Sequence, residues 1–149
     1  MKNVLISTGG SGGHVVPAKI IYEHLKEQFN ISITSDQRGI KFLDKDKYNI
    51  EIINVPKVSK NVLLSFLQIF SLFNLFFKSF FFIKKKKIEI LISTGGYMSL
   101  PLCLASRVLK IKLFLFEPNM VLGRSNKLFV NYCTKIFCYS DKIKNFPNK

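Results

Sequence analysis

The 149-residue sequence has no tryptophan, two histidines, three cysteines and nine acidic residues. Cys103, Cys133 and Cys138 are odd in number and scattered, so they suggest neither a disulfide framework nor a paired metal-ligand spacing. They read as reduced, partly buried thiols of a cytosolic compartment. With so few histidines and no second ligand set, no zinc site is expected. Met1-Lys2-Asn3 leads into a short strand-like run and not into the apolar region and cleavage site of a signal peptide. No Gly-Lys-Ser/Thr follows the glycines of residues 9–13, so that loop is not a P-loop. Nor does its spacing fit the G-x-G-x-x-G dinucleotide pattern, although Asp36 lies near the offset of an acidic ribose partner. Neither an aromatic-basic RNA motif nor a helix-turn-helix pattern is present, and nucleic acid is not an expected partner.

Basic residues, by contrast, number 23, and the formal net charge is +14. Such a balance favours anionic partners: nucleic acid, phosphorylated ligands or an anionic membrane surface. Abundant Lys, Asn, Ile and Phe can also follow from a biased genome, so the charge alone does not choose among them. Hydrophobic residues make up 48% and phenylalanine alone contributes 15, enough for one domain with a real core.

Short apolar runs alternate with helical stretches. Strands are expected at Asn3–Ser7, Ile31–Thr34, Ile50–Val55, Ile88–Ser93, Lys112–Phe116 and Lys135–Tyr139. Helices are expected over about Val16–Gln28, Asn61–Ile83, Ser99–Leu109 and Leu122–Asn131. This alternation predicts an α/β fold, a Rossmann-like parallel sheet with helices on both faces. Residues 140–149 are polar and Lys-rich and read as a tail or linker start.

Leu5-Ile-Ser-Thr-Gly-Gly10 recurs letter for letter as Leu91-Ile-Ser-Thr-Gly-Gly96. Both copies run a buried strand into a glycine turn, and in a parallel sheet both turns emerge at the carboxyl edge, where open α/β sheets bind ligands. Glu117-Pro-Asn119 follows another strand and joins them there. Gly9, Gly10, Gly12 and Gly13 permit close backbone approach, and a helix start behind them offers free N–H groups to phosphate; Ser11 adds a hydroxyl. A tight turn without a ligand would use the same residues. His14, next to this cradle, can serve as a general base, or it can bond backbone at a helix start. His24 reads as an ordinary surface residue.

Three segments carry a family resemblance: Gly9-Gly-Ser-Gly-Gly-His-Val-Val-Pro-Ala18, Gly95-Gly-Tyr-Met-Ser-Leu-Pro101 and Glu117-Pro-Asn-Met-Val-Leu-Gly-Arg-Ser-Asn126. In this order, each at a strand end, they resemble the amino-terminal domain of the MurG-type enzymes of glycosyltransferase family 28. The resemblance covers nearly the whole chain. It implies the amino-terminal half of a GT-B fold and an inverting, metal-independent hexosyltransferase without a cofactor. That enzyme moves GlcNAc from UDP-GlcNAc to undecaprenyl-diphosphate-MurNAc-pentapeptide (lipid I), giving lipid II in peptidoglycan synthesis. By the same resemblance Ser11, Gly12, Gly13 and Asn119 would lie against the sugar nucleotide, and His14 and Glu117 would be the catalytic pair, with His14 as base. Gly9, Gly10, Gly95 and Gly96 would hold the acceptor's diphosphate, while Tyr97, Ser99, Glu117 and Asn126 shape its pocket. Ser11 stands where the family usually has threonine, and Pro118 where it usually has glutamine. The expected organisation is an acceptor-binding domain over residues 1–139 and the tail over 140–149. The family's donor domain is absent from these 149 residues, which would be either a truncated gene product or one half of an enzyme completed by a separate donor-domain polypeptide.

Asn61–Ile83 is mostly Phe, Leu and Ile, followed by Lys84–Lys87. Polar residues at Asn61, Ser65, Gln68, Ser71, Asn74 and Lys78 recur every three or four positions, a helical spacing. At about 35 Å the helix is long enough to cross a bilayer, but the polar stripe argues against lipid on every side. The favoured reading has one face on the sheet and another in the membrane interface, with the lysines on anionic headgroups. A wholly buried crossover helix with a solvated lysine cap is the alternative. The family's lipid acceptor likewise implies a peripheral protein at the cytoplasmic face of the bacterial inner membrane. Two functions stand side by side: the acceptor half of a lipid-linked GlcNAc transferase, as a truncated product or in a split enzyme and not expected to be active in isolation, and a non-catalytic remnant that keeps only the rim.

Overall fold

Val4, Leu5 and Ile6 are consecutive and all fully buried, which requires a strand covered on both faces. A computed structural model describes residues 1–55 and 62–147, the side chains of 62–69 excepted. Among the described residues the strands are β1 (Asn3–Ser7), β2 (Asn30–Ser35), β3 (Ile50–Ile52), β4 (Ile90–Ser93), β5 (Lys112–Glu117) and β6 (Lys135–Cys138). They form one parallel sheet in the order β3-β2-β1-β4-β5-β6. The chain therefore builds outward from β1 in one direction and from β4 in the other, and the strand order reverses between them.

Helices are α1 (Gly12–Leu25), α2 (Val62–Lys85), α3 (Leu100–Val108) and α4 (Arg124–Phe129), with 3-10 turns at Gly39–Phe42 and Tyr97–Ser99. One core layer joins Leu5, Leu91, Leu113 and Leu115 of the sheet to Ile83 of α2, Leu102 of α3 and Phe129. The other joins Val4, Ile6, Ile31 and Ile33 to Val15 and Ala18 of α1. Each large side chain fully buried here stabilises the fold by about 1.5–3 kcal/mol before chain entropy is counted. Beside α1 the sheet residues Ile90, Ile92, Phe114, Phe116 and Phe137 line an apolar groove of about 480 Å³.

Two expected elements shift by three residues or more. Helix α1 begins at Gly12, four residues before Val16, because glycine is a poor helix former and hides the start. His14 therefore lies in the first helical turn, and the helix sets its direction. β3 ends at Ile52, short of Val55. On α2 the polar stripe's Asn74 and Lys78 are exposed and Ser71 is half-buried, next to exposed Phe70, Phe73, Phe77 and Phe81, while Ser79, outside the stripe, is buried. Asn61 lies outside the described residues, as do the side chains of Ser65 and Gln68. No helix among the described residues is long and apolar enough to cross a membrane. The polar segment after β6 turns back on the body: Leu122 donates to the Lys144 carbonyl and Lys144 to that of Met120, both at 3.0 Å.

Cys103 is buried, Cys133 half-buried and Cys138 exposed, all as free thiols. Burial pushes the Cys103 thiol up to about 12 against the pull of Ser93 and Ser99, so it behaves as a small core residue.

Candidate functional site

The repeated hexapeptides are sheet neighbours in matching register. Leu5 pairs with Leu91, Ile6 with Ile92 and Ser7 with Ser93, so both glycine loops leave the sheet at the same height, where the strand order reverses. Thr94 locks them together: its amide donates to the Ser7 carbonyl at 3.0 Å and its hydroxyl to that of Thr8 at 2.8 Å. Gly96 packs on Gly9, since a Cβ on Gly96 would stand 3.4 Å from the Gly9 carbonyl oxygen.

His14 rises from α1 against the second loop. Its Nδ1 lies 2.7 Å from the Thr94 carbonyl oxygen. A carbonyl can only accept, so Nδ1 carries the proton, and in the neutral ring Nε2 is left as the acceptor. Gly95 has φ +92°, and a Cβ there would come within 3.2 Å of the imidazole Cε1. Glycine at this position thus satisfies both the backbone and the ring beside it.

Beyond His14 lies a cavity of about 350 Å³. It brings together His14, Gly95, Gly96, Tyr97, Glu117, Asn119 and Asn126 and adds Gly123, Arg124 and Ser125. Glu117 is 1% exposed and organises one wall. Its Oε1 accepts from the Asn119 amide (3.2 Å) and Nδ2 (2.9 Å), its Oε2 from the Gly123 amide (2.8 Å) and Asn126 Nδ2 (3.0 Å). With four donors in place, its carboxylate is filled. Asn126 also donates to the Phe116 carbonyl at 3.2 Å, while its buried Oδ1 has no partner among the described residues. A ligand hydroxyl or N–H would satisfy that orphaned acceptor. Tyr97 is half exposed at the mouth.

The remaining expected residues stand elsewhere. Ser99 is fully buried, donating to the Gly96 carbonyl at 2.7 Å and touching the Ser125 hydroxyl at 3.1 Å; it ties the second loop to α4 from behind. Ser11, Gly12 and Gly13 start α1 outside this cavity's lining. Ser11 is exposed and its side chain makes no cap bond. The Gly12 and Gly13 amides have no backbone acceptor among the described residues and remain available to an anion. No group of three or more His, Cys, Asp or Glu that could hold a metal ion occurs among the described residues.

The sequence reading missed Thr94, Gly39 and Arg124, and it weighed Asp36 only as a ribose partner. Arg124 lay within a quoted motif, which was the available signal. Asp36 is buried and accepts from the Gly10 and Gly39 amides, each at 2.8 Å. Burial alone would raise its carboxyl, but these amides and Arg38 outweigh that and hold it below its ordinary value. Gly39 comes so close that a Cβ would stand 2.8 Å from the Gly9 Cα. The first loop is thus fastened from behind by partners that no local motif announces.

Parallel strands, paired glycine loops at the reversal of strand order and a backbone-oriented histidine beside a polar cavity define a Rossmann-like domain with a polar rim at the carboxyl edge of its sheet. The model of the glycosyltransferase family 28 N-terminal domain matches residues 4–138, and the chain belongs to that family. It is 64% identical over 99% of its length to a protein of Pelagibacter ubique named UDP-N-acetylglucosamine--N-acetylmuramyl-(pentapeptide) pyrophosphoryl-undecaprenol N-acetylglucosamine transferase, covering 42% of that protein. A protein of the same name from Sulfurihydrogenibium is 38% identical over 92% of this chain and 40% of its own length. The chain thus spans about two fifths of the curated relatives it matches. Among solved structures, Acinetobacter baumannii MurG superposes over 100% of this chain and 44% of its own, with TM-score 0.84 and 24% identity. A putative UDP-N-acetylglucosamine 2-epimerase from Listeria monocytogenes follows with TM-score 0.69 and 14% identity, covering 96% and 40%. These two likenesses concern the fold.

Proposed function

We propose that this chain is the acceptor-binding half of a GlcNAc transferase that converts lipid I to lipid II with UDP-GlcNAc as donor. The observation that carries the reading is His14, pinned through Nδ1 to Thr94, with Nε2 unpartnered among the described residues, beside two glycine loops in register. In the proposed step Nε2 takes the proton of the acceptor hydroxyl as its oxygen bonds to the anomeric carbon. The bond from that carbon to the diphosphate breaks, and UDP leaves from the opposite face, which inverts the centre. His14 supplies base catalysis, and the loops supply positioning for the acceptor's diphosphate. Ser11, Gly12, Gly13 and Asn119 face the donor in this reading. Glu117 serves as the residue that holds Asn119, Gly123 and Asn126 in place. The donor domain comes from outside residues 1–149.

A chimera tests this. Residues 1–149 replace the equivalent segment of the Pelagibacter ubique relative, and GlcNAc transfer to lipid I is measured. Activity within about tenfold of the parent is expected, because the two sequences are 64% identical over 99% of this chain and cores tolerate volume-conserving exchanges. A folded chimera that binds UDP-GlcNAc but transfers nothing to lipid I would sink the proposal and leave the remnant reading.

We also place the domain peripherally on the cytoplasmic face of the membrane. Phe70, Phe73 and Phe81 are 74%, 63% and 63% exposed on one side of α2, which runs into exposed Lys84 and Lys85. An apolar face ending in lysines suits an anionic interface. Changing Phe73, Phe77 and Phe81 together to serine is expected to weaken co-sedimentation with phosphatidylglycerol vesicles by about tenfold or more. Unchanged binding would remove α2 from the membrane contact.

A further inference from the structure

Asp36 has the sequence offset of a ribose-binding acid, yet the fold leaves it no free oxygen for a ribose. Its Oδ1 is taken by the two amides, and its Oδ2 accepts from Arg38 Nε and Nη2, each at 2.8 Å. The carboxylate instead aims an arginine. Arg38 is half exposed, and only two of its five N–H donors are used by Asp36. Its Nη2 lies 3.7 Å from where a Cβ would stand on Gly10. The same 3-10 turn lays the Phe42 ring 3.6 Å from the corresponding point on Gly12. The segment after β2 therefore flanks the first glycine loop, with the cation at one end and the aromatic ring at the other.

The charge arrangement has a consequence for anions. A bare carboxylate behind Gly10 would repel any phosphate brought to the Gly12 and Gly13 amides. Arg38 neutralises it and turns the outward side of the pair positive. Being fixed at two nitrogens, the guanidinium has already lost the freedom that a loose lysine would have to give up on binding.

We propose that Arg38 is a specificity-determining residue of the rim: it pairs with the diphosphate anion received by the first glycine loop, and Asp36 is the positioning residue that holds it there. The proposal rests on the reading of the rim as the acceptor's diphosphate site. Guanidinium and phosphate oxygens make short, charge-assisted hydrogen bonds in a matching fork. Arg38 therefore selects a phosphorylated carrier over an uncharged sugar acceptor.

The test titrates inorganic pyrophosphate into the 149-residue chain at low salt, following the loop glycine amides by NMR. In the wild type the amides of residues 9–13 are expected to shift. Arg38→Gln and Arg38→Met are both expected to weaken binding by about tenfold or more, and Arg38→Lys by less. Arg107→Gln is the equal-charge control, because Arg107 lies over the Tyr132 ring, 3.4 Å from its centroid, and is expected to change nothing. Wild-type affinity in Arg38→Gln and Arg38→Met, with the glycine amides still shifting, overturns the assignment and leaves the loop site standing. Equal weakening by Arg107→Gln also overturns it, since bulk charge would then explain the loss. Absence of any wild-type shift in the glycine loops overturns the assignment together with the rim reading beneath it.

Discussion

His14→Ala in the Pelagibacter chimera is expected to lower kcat/KM for lipid I by about 10²–10⁴-fold, the usual loss when a general base is removed. The expectation rests on how firmly the ring is held. Thr94, whose carbonyl takes the Nδ1 proton, is itself fixed to Ser7 and Thr8 across β1 and β4. The ring is backed by Gly95 and Gly96, positions where a Cβ would stand 3.2 and 3.8 Å from it. Its remaining nitrogen therefore has one direction to work in. His14→Gln separates positioning from basicity, because a glutamine amide can still donate to the Thr94 carbonyl but cannot take a proton at neutral pH. It should be nearly as inactive as alanine, with the loss in kcat and little change in KM. Full transfer by either variant would remove His14 from the chemistry and reduce it to a helix-start residue bonded to backbone.

Much of the fold was legible because its signals are local. Val4-Leu5-Ile6 and Ile90-Leu91-Ile92 are strand-length apolar runs bounded by glycine turns, and the β–α alternation leaves little topological choice. Even the repeat could be read as two loops at one edge. What the sequence could not supply was the register that sets Leu5 on Leu91, since strand pairing is decided by packing across the whole sheet. The start of α1 was misplaced for a related reason. Gly12 and Gly13 are poor helix formers, and the rest of the helix pulls them into its first turn.

The site divides along the same line. His14, Tyr97, Asn119 and Asn126 could be named from motifs because they sit beside glycines or strand ends, and all four line one cavity. Asp36, braced by Arg38 and the Gly39 amide, supports the first loop through a side chain–backbone bond to Gly10 that spans 26 residues, and such a bond has no periodicity to betray it. Ser99 was named for the acceptor pocket, yet the fold buries it behind the loop. In each case the residue type was informative, while its direction was set by neighbours distant in sequence.

Glu117 provides the other large expected effect, this time first on stability. Glu117→Ala removes all four acceptor contacts and strands the Gly123 amide and one N–H of Asn126 Nδ2, whose other N–H keeps the Phe116 carbonyl, while exposed Asn119 can turn to water. At about 1–3 kcal/mol for each stranded buried donor, a loss of about 3 kcal/mol or more is expected in urea unfolding, read as a lower midpoint at constant m value. Glu117→Gln is milder and more informative. Its amide nitrogen must face one donor pair, and the cheaper choice is the Asn119 side, which leaves Oε1 of the glutamine on Gly123 and Asn126. The expected result is a loss of about 1–3 kcal/mol and slower transfer in the chimera, with the shape of its pH–rate profile unchanged. That shape is the deciding measurement, because a residue that only holds Asn119 and Asn126 cannot alter it. If Glu117→Gln instead abolishes one limb of the profile while the protein stays folded, Glu117 moves a proton itself, and its saturated hydrogen bonds must open when substrate binds.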